Sequence, residues 1–321
     1  WLHLNSASID TGRPLQRILW EQLLWGPRAR RLGVDLLHSM AFVLPFVSGI
    51  RGVVTVYDLS FMYYPEQYPA ARRLYLKTQT ARSCRAAERV IAIAEDGKRD
   101  IHNFFKVPLE QIDVVYPGLS PAYTRPDARV VDAFRAREQL PKRFVLHVGT
   151  LQPRKNLITL IEAFHQLNLP DVHLILAGGK GWFFDQIFAI VERLGLENRV
   201  HFIGYVQDAH LPLLYAAADL FVFPSYYEGF GMPIVEAMAC GTPVIASDAS
   251  AMPEAIGGAG LMFQADSTEE LAESMLTVLD NAEQAAKMRR VVLVQARQFS
   301  WKTAAKETEA IYTKILSAPS R

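Results

Sequence analysis

Short runs of apolar residues recur along the chain, and stretches with helical periodicity separate them. Most of these runs are apolar throughout rather than alternating, which is typical of strands buried on both faces of a parallel sheet. The predicted strands lie at 34–38, 52–57, 89–94, 112–116, 143–148, 172–177, 200–204, 220–224 and 243–247. The predicted helices lie at 13–32, 70–87, 129–139, 156–167, 183–194, 211–217 and 232–239. This alternation predicts an α/β protein with doubly wound parallel sheets.

A segment rich in proline and charge divides the chain near its middle. Prolines stand at 117, 121, 126 and 141, and the net charge changes from +5 over residues 1–140 to −4 over the remainder. We therefore expect two α/β domains, at 1–123 and 142–299, joined by a linker at 124–141. Ligands would bind where the carboxyl ends of the strands face a cleft between such domains.

The beginning of the chain is unusual for an α/β domain. The chain opens on Trp1, and a helical stretch precedes the first predicted strand. Because an α/β domain normally opens with a strand, we expect the first domain to be incomplete, with an N-terminal portion absent through truncation or processing.

The composition narrows the class of protein. The 321 residues are 50% hydrophobic and 21% charged, and the 34 basic and 33 acidic side chains nearly cancel. A dedicated nucleic-acid-binding protein usually carries a clear basic excess, so we expect no nucleic-acid partner. The two cysteines, Cys84 and Cys240, exclude a disulfide framework. No apolar run is long enough to span a bilayer and no signal peptide is visible, so we expect a cytoplasmic protein.

Several motifs that would assign a different chemistry are absent. No Gly-x-Gly-x-x-Gly follows a strand, Gly179-Lys180 is not part of a P-loop, and neither His-Glu-x-x-His nor Gly-x-Ser-x-Gly occurs. The sequence also lacks Asp-x-Asp, a carboxylate pair that commonly holds a divalent ion on a diphosphate. If the chain binds a diphosphate, its own cations and helix N-termini must neutralise it, and we expect neither a metal nor a cofactor.

The most informative motif spans 224–243 and reads PSYYEGFGMPIVEAMACGTP. The pattern predicts a buried strand, then a loop containing glycine, then a helix that starts near Pro233 and ends at Gly241. Free backbone N–H groups and the positive end of the helix would face the cleft. Glu228 and Glu236 lie beside this helix start, where ionised carboxylates suit ligands rich in hydroxyl groups. The alternative is an ordinary loop that carries a helix-capping acid.

The same string resembles the Glu-x7-Glu signature of the family 4 retaining glycosyltransferases, which have the GT-B fold of two Rossmann-like domains facing a cleft. Segment 147–156, HVGTLQPRKN, is similar to the diphosphate-binding loop of that family. The resemblance covers nearly all of the chain from about residue 34 and is greatest to bacterial mannosyl- and glucosyltransferases of polysaccharide assembly. Phe299-Ser-Trp301 resembles the start of the family's terminal helix, expected at 300–321, which returns to the first domain. Other matching segments are 57–61, 115–118, 177–179, 204–206, 243–247 and 253–254.

The resemblance implies a role for each matching position. The catalytic residues would be Glu228, Arg154 and Lys155, and the two cations would hold the diphosphate. The donor sugar would be held by Glu228 and by Gly229, Phe230, Gly231, Met232, Tyr57 and Asp58. The nucleotide would be held by Glu236, on the ribose, and by Gly149, Thr150, Val206 and Leu211. We expect Asn156 as the N-cap of the next helix, so that two cations and a helix N-terminus converge. The alternative interpretation is that Arg154 and Lys155 are ordinary solvent-exposed cations at the start of a helix.

Two positions depart from the family pattern. Tyr57 stands where the family often has a histidine that contacts the donor sugar, and Tyr57 can donate an O–H but cannot carry a positive charge near pH 7. Thr150 stands where many relatives have an arginine after the glycine of the diphosphate loop. The diphosphate loop therefore has one cation fewer than in those relatives, or Arg154 supplies the missing charge.

The implied reaction is transfer of a hexose, with retained configuration, from a GDP-, UDP- or ADP-sugar to a saccharide or lipid-linked saccharide. No protein nucleophile is obvious, so the acceptor would attack from the front face while the leaving phosphate oxygen takes its proton. The protein would supply electrostatic stabilisation, about 3–4 kcal/mol per well-placed donor. Two alternatives remain open: a nucleotide-sugar epimerase or hydrolase of the same fold, and a catalytically inactive GT-B binding module.

A strongly basic stretch lies at 70–89 and is opposed only by Glu88. One interpretation is a solvated helix face, and the other is peripheral contact with an anionic membrane or with a lipid-linked acceptor phosphate. Residues upstream could add to such an interfacial patch. The basic residues of the stretch are Arg72, Arg73, Lys77, Arg82, Arg85 and Arg89, and the upstream residues are Trp20, Trp25, Arg28, Arg30 and Arg31.

Overall fold

Two parallel sheets, each in its own unit, organise the chain, which confirms the predicted α/β class. The computed structural model describes residues 7, 9–10, 12–46 and 49–318. The first unit comprises Trp1–Tyr116 together with Ala304–Arg321, and the second comprises Pro117–Thr303. The two ends of the chain, 1–6 and 319–321, belong to the predicted first domain and terminal helix and lie outside the described residues.

The first unit is built on four strands, β1 (Leu36–Ser39), β2 (Arg51–Val56), β3 (Arg89–Ala92) and β4 (Ile112–Val114). They pair in parallel in the order β1-β2-β3-β4. Its helices are α1 (Pro14–Leu19), α2 (Trp25–Arg31), α3 (Ser60–Tyr63), α4 (Ala70–Ala86) and α5 (Glu95–Phe105), with 3₁₀ turns at Pro65–Gln67 and Leu109–Gln111. The strands are mostly buried, and they form a core with apolar side chains of α3 and α5.

The second unit is built on six parallel strands in the order β10-β9-β8-β5-β6-β7. The strands are β5 (Arg143–Val148), β6 (Val172–Ala177), β7 (Val200–Gly204), β8 (Leu220–Phe223), β9 (Val244–Ser247) and β10 (Leu261–Phe263). The helices are α6 (Ala128–Arg137), α7 (Leu157–Gln166), α8 (Asp185–Arg193), α9 (Leu211–Ala217), α10 (Met232–Ala239), α11 (Met252–Ile256), α12 (Thr268–Leu279) and α13 (Ala282–Ala296). The strand order reverses between β5 and β8. Ligands of such sheets bind at this reversal, beyond the carboxyl ends of the strands.

The terminal helix, α14 (Trp301–Ser317), begins in the second unit and is grouped with the first unit from Ala304 onward. Ala304, Ile311 and Ile315 pack with Val53 of β2 and with neighbouring apolar residues of the first sheet. The helix therefore supplies part of the core of the first unit.

The predicted linker at 124–141 is wrong. Residues 128–137 form α6, which packs against α9 and belongs to the second unit. Phe134 is buried, and Arg135 donates hydrogen bonds to the carbonyl oxygens of Ala217 and Pro141. The proline-rich composition therefore marks a docked helix, and the change of unit falls after Tyr116 rather than after residue 123.

The predicted continuous helix at 13–32 is interrupted. A π-helical turn, Trp20–Leu24, separates α1 from α2. Pro27 lies four residues after Leu23, has no N–H to donate and would clash with the Leu23 carbonyl in a regular helix. A π-helical turn at this point relieves that conflict.

Some elements have the predicted bounds and others were not predicted. The strands at 143–148, 172–177 and 200–204 and the helices at 211–217 and 232–239 agree with the prediction. The sequence pattern did not reveal β10 or the helices α5, α11, α12 and α13. In β10 only Phe263 is buried, so it lacks the fully apolar run that identified the other strands.

The basic stretch at 70–89 is only partly free for a partner. Arg82 donates to the carbonyl oxygen of Leu44, Arg85 donates to that of Phe105 and Arg89 pairs with Asp113. Arg72, Arg73 and Lys77 are exposed. None of the helices in the described ranges combines the length and apolar character needed to cross a membrane.

Candidate active site

Two loops meet at the carboxyl edge of the second sheet, at the reversal of strand order. The first leaves β5 through Gly149 and Thr150, forms a 3₁₀ turn at Pro153–Lys155 and enters α7. The second leaves β8 and enters α10. The backbone joins them directly, because the Tyr226 N–H donates to the Arg154 carbonyl oxygen at 3.0 Å.

The side chains of these two loops form one charged cluster. The Lys155 Nζ atom lies 2.6 Å from Glu228 Oε1, and the Arg154 Nη1 atom lies 3.0 Å from Glu228 Oε2. Arg154 also donates to the carbonyl oxygen of Tyr227, and the Lys155 ammonium lies 5.0 Å from the centroid of the Phe223 ring. Each oxygen of one carboxylate is thus held by a different cation. The structure brings the three predicted catalytic residues together.

Burial and charge act in opposite directions on this cluster. Burial alone would raise the pKa of Glu228, but the adjacent Lys155 and Arg154 outweigh it and hold that pKa below its ordinary value. Burial lowers the pKa of Lys155, and Glu228 opposes that effect. With one anion between two cations, the cluster keeps a net positive charge that suits an anionic ligand.

The glycines around Thr150 allow two backbone segments to touch. Gly149 donates its N–H to Ala177 at 2.9 Å, and Leu151 donates to Gly179 at 2.9 Å. Gly178 has a φ of +149°, and a Cβ placed on it would lie 1.9 Å from the Gly149 carbonyl oxygen. Thr150 is exposed beside this contact between the two backbone segments.

Asn156 takes the predicted N-cap position of α7, but its side chain bonds no N–H of the helix. Its backbone lies in the left-handed region with a φ of 54°. Its Oδ1 atom accepts a hydrogen bond from the Thr159 hydroxyl at 2.7 Å, and its Nδ2 atom donates to Ala265 O at 2.7 Å. The amide therefore ties the turn to a neighbouring segment instead of satisfying an N–H of the helix.

The loop after β8 has the predicted form. Gly231 has a φ of +98° at the N-cap position, Pro233 lies in the first turn of α10, and Gly241 follows the helix with a φ of +80°. The Phe230 ring is buried against Phe299, with ring centroids 5.3 Å apart. Phe230 can therefore offer a ligand only its backbone, whereas Gly229 and Met232 are half-buried.

Glu236 lies on α10 and is held by the hydroxyl of Tyr215. That hydroxyl donates to Glu236 Oε2 at 2.9 Å. Burial raises the pKa of Glu236, and the nearby hydroxyls of Tyr215 and, more weakly, Tyr123 oppose that rise. Leu211 begins the helix that carries Tyr215, and Val206 lies in the connection that precedes it.

Tyr57 and Asp58 lie in the first unit, directly after β2. Tyr57 is partly exposed, and its ring packs edge-on against Phe42. The Asp58 carboxylate accepts hydrogen bonds from the Ser60 N–H at 2.7 Å and the Ser60 hydroxyl at 2.5 Å. Asp58 thereby fixes the turn into α3.

A buried histidine lies close to Lys155 of the charged cluster. His147 is fully buried in β5, and its Nδ1 atom donates to the Val222 carbonyl oxygen at 3.1 Å. Its Nε2 atom has no hydrogen-bond partner. Burial, followed by the nearby Lys155 charge, lowers the pKa of His147 to about 3, so the ring is neutral.

Sequence reasoning missed the tyrosine that holds Glu236. The only available signal was the hydroxyl of Tyr215 within the apolar segment LPLLYAA, because a buried tyrosine hydroxyl usually finds a partner. Among the described residues, no group of three or more His, Cys, Asp and Glu side chains is arranged to hold a metal ion.

Comparison with known families identifies the class of enzyme. Residues 131–291 match the model described as glycosyl transferases group 1, and residues 3–123 match the model described as Glycosyltransferase Family 4. The chain belongs to the family 4 glycosyltransferases. This glycosyltransferase is 34% identical over 283 residues to the Escherichia coli O-antigen chain mannosyltransferase B, a match that covers 86% of the chain and 74% of that protein.

Other matches agree on family and fold. The D-inositol 3-phosphate glycosyltransferase of Mycolicibacterium smegmatis is 33% identical over 239 residues, which cover 72% of the chain and 54% of that protein. The chain therefore spans about half the length of this second relative. The crystal structure of Anabaena Alr3699/HepE in complex with UDP-glucose superposes with a TM-score of 0.76 at 23% identity, over 95% of the chain and 84% of that protein. The fold is GT-B.

Proposed function

We propose that this glycosyltransferase transfers a hexose from a nucleotide sugar to a saccharide or lipid-linked saccharide, with retained configuration and without a metal ion. The observation that supports this most is the cluster of Arg154, Lys155 and Glu228 at the reversal of strand order. Mannose is the favoured hexose, because the chain is 34% identical to a protein named as a mannosyltransferase. A protein of the same fold binds UDP-glucose, which supports a nucleotide-sugar donor.

The proposed donor lies along the carboxyl edge of the second sheet. The ribose hydroxyls bind Glu236, while Gly149, Thr150, Val206 and Leu211 line the nucleotide. Arg154 and Lys155 hold the diphosphate, and the hexose lies at the start of α10, beside Glu228 and the backbone at Gly229–Met232. The family resemblance also assigns Tyr57 and Asp58, which lie in the first unit, to the donor sugar.

In the reaction, negative charge grows on the diphosphate as the glycosidic bond breaks. Arg154 and Lys155 stabilise that charge, and a well-placed donor contributes about 3–4 kcal/mol. Both cations pair with Glu228 in the structure. When the diphosphate takes up those cations, the Glu228 carboxylate becomes available to sugar hydroxyls, so donor binding itself prepares the sugar site.

The test is a transfer assay with GDP-mannose, UDP-glucose, UDP-N-acetylglucosamine and ADP-glucose, each with and without a saccharide acceptor. We expect one nucleoside diphosphate to raise the melting temperature, because ligand at 100 times Kd adds about 2.7 kcal/mol of stability. We expect the product to keep the donor's anomeric configuration by NMR. Hydrolysis or isomerisation without an acceptor would indicate the epimerase or hydrolase alternative, and binding without turnover would indicate an inactive module.

A variant separates binding from transfer. Glu228→Gln should retain nucleoside diphosphate binding and reduce transfer, because the carboxamide cannot accept two O–H bonds as a carboxylate does. Arg289→Gln, on α13, serves as a charge-changing control, because Arg289 bonds backbone carbonyls away from the cluster. Loss of nucleoside diphosphate binding in a folded Glu228→Gln variant would contradict the assignment of Glu228 to the sugar.

The same proposal includes peripheral contact with an anionic membrane through the exposed part of α4. Arg72, Arg73 and Lys77 are exposed there, and Leu74 between them is 62% exposed. Basic residues near an anionic surface gain about 1 kcal/mol each. Flotation with phosphatidylserine vesicles, and its absence with neutral vesicles, would support this contact.

A further inference from the structure

The carboxylate proposed to bind ribose is itself oriented by a buried phenol. Tyr215 lies on α9, and its ring is completely buried. Its hydroxyl donates to Glu236 Oε2 at 2.9 Å. The other end of the residue is also fixed, because the Thr242 hydroxyl donates to the Tyr215 carbonyl oxygen at 2.6 Å. The ring packs edge-on against Phe221 with centroids 5.3 Å apart. Tyr215 therefore has little freedom to move away from Glu236.

A second phenol approaches the same carboxylate from a different segment. Tyr123 lies in the stretch before α6, and its ring centroid is 6.2 Å from that of Tyr215. Its hydroxyl lies close enough to Glu236 to lower the pKa of the same carboxylate. Two tyrosines from separate segments thus lie beside one carboxylate, whereas a capping acid would need only backbone N–H groups.

The Glu236 carboxylate keeps acceptor positions that a ligand can use. An ionised carboxylate has about four acceptor positions, and the Tyr215 hydroxyl occupies one of them. A phenol donates its hydrogen bond without adding a positive charge, so it fixes the direction of the remaining acceptor positions without neutralising the carboxylate. Two adjacent hydroxyl groups match such a fixed pair of acceptors better than they match a mobile carboxylate.

We propose that Tyr215, assisted by Tyr123, is a positioning residue that makes the site selective for the vicinal diol of ribose. Neither tyrosine touches the reacting atoms in this proposal. Their function is to hold Glu236 so that a ribonucleotide binds tightly and a nucleotide without the diol does not. The inference rests on the proposed function, in which Glu236 binds the ribose of the donor.

The experiment compares each nucleoside diphosphate with its 2′,3′-dideoxy analogue by calorimetry, using the guanosine, uridine and adenosine pairs. The proteins are the wild type, Tyr215→Phe, Tyr123→Phe, Glu236→Gln and Tyr312→Phe. Tyr312 is a matched control, because it is a phenol of the first unit that bonds His38. Thermal unfolding shows that each variant is folded. Because Tyr123 is less buried than Tyr215, Tyr123→Phe provides a second variant if Tyr215→Phe is unstable.

We expect the wild type to bind one ribonucleotide at least tenfold more tightly than its dideoxy analogue, and Glu236→Gln to lose most of that preference. Tyr215→Phe should weaken the ribonucleotide about five- to tenfold and leave the dideoxy affinity unchanged. Tyr123→Phe should do the same to a smaller extent, and Tyr312→Phe should change neither affinity.

Two results would overturn the inference while the proposed function stands. One is a Tyr215→Phe variant that keeps the full preference for ribose. The other is a variant that loses both affinities equally, which would show that Tyr215 only supports the fold. A wild type that binds nucleotides with no preference for the diol would overturn both the ribose assignment of Glu236 and the role of Tyr215.

Discussion

Lys155 and Arg154 differ from surface cations because a single carboxylate already holds both of them. The Lys155 side chain is only 10% exposed, and removing it leaves Glu228 with one cation. The cost of an unpaired buried charge is larger than the value of the pair itself. The cluster therefore stabilises the loop, and its net positive charge suits an anionic ligand. For any variant, the effect on folding must be measured as well as the effect on ligand binding.

Lys155→Ala should weaken a nucleoside diphosphate far more than it weakens the parent nucleoside. A charge-assisted contact contributes about 1.5–3 kcal/mol, and only the diphosphate can make it. Calorimetry with both ligands measures the difference. Lys142→Ala is the control, because Lys142 is exposed just before β5 and thus at the opposite end of that strand. Equal losses for both ligands would show that Lys155 acts only through the structure of the loop.

His147 should make the folded state sensitive to acid. Its pKa is about 3 in the folded protein, against an ordinary value of 6.5. A histidine whose folded pKa is depressed contributes its full stability above pH 6.5. That stability is lost as the pH falls from 6.5 toward 3, by about 1.4 kcal/mol per pH unit. His147→Asn keeps a donor for the Val222 carbonyl oxygen but cannot titrate in this range.

Urea unfolding at pH 7 and pH 5 tests this effect. The free energy of unfolding of the wild type should fall by about 2 kcal/mol more than that of His147→Asn over this interval. His165→Asn, which changes an exposed histidine of α7, should behave as the wild type does. An identical pH dependence in the wild type and in His147→Asn would contradict the prediction.

At the scale of elements, α6 shows how composition can mislead. Its charges and the prolines that flank it resemble a linker, yet the buried Phe134 docks it on the second unit. Phe134→Ala should lower the free energy of unfolding by about 3–5 kcal/mol, because the ring is buried and leaves a cavity. Val130→Ala, on the same helix but 51% exposed, should change it by about 0.5 kcal/mol or less. Urea unfolding of both variants decides between a docked helix and a linker.

The difference between buried and exposed side chains also explains how much of the fold could be predicted from the sequence. Strands β5, β6 and β8 consist mostly of apolar residues and were predicted, because burial on both faces of a strand leaves a clear signal in the sequence. Strand β10 was missed because Met262 is partly exposed and the strand has only three residues. The interruption of the first helix was not predicted, because hydrophobic periodicity does not show how the chain accommodates Pro27. The motif around Glu228 was predicted well, because its glycines and prolines fix a strand, a turn and a helix in order.

The contacts between motifs were beyond sequence reasoning. Nothing along the chain indicates that Lys155 and Arg154 pair with Glu228, which lies more than seventy positions later. Likewise, only the strand order places the loops after β5 and β8 side by side. The Tyr215–Glu236 bond needs the packing of α9 on α10, and the Asn156 amide donates to Ala265, more than a hundred positions later.

At the scale of the whole molecule, we predict that side chains supply most of the positive charge for the proposed diphosphate. A nucleoside diphosphate carries roughly three negative charges near pH 7. Arg154 and Lys155 exceed Glu228 by one positive charge, and the starts of α7 and α10 add the partial charge of helix N-termini. The sequence has no Asp-x-Asp pair that would bring a divalent ion to this edge. We therefore predict that nucleoside diphosphate affinity is unchanged by a chelator.

The measurement is calorimetry of the preferred nucleoside diphosphate with excess EDTA and then with excess Mg²⁺ or Mn²⁺. Because a bound divalent ion reduces the charge of the ligand, the metal should leave the affinity unchanged or weaken it slightly. In Lys155→Ala the affinity should be low under both conditions, since an added ion has no carboxylate pair to hold it in place of the lysine. A tenfold or greater loss with EDTA, restored by either ion, would show that a metal does belong to the donor site.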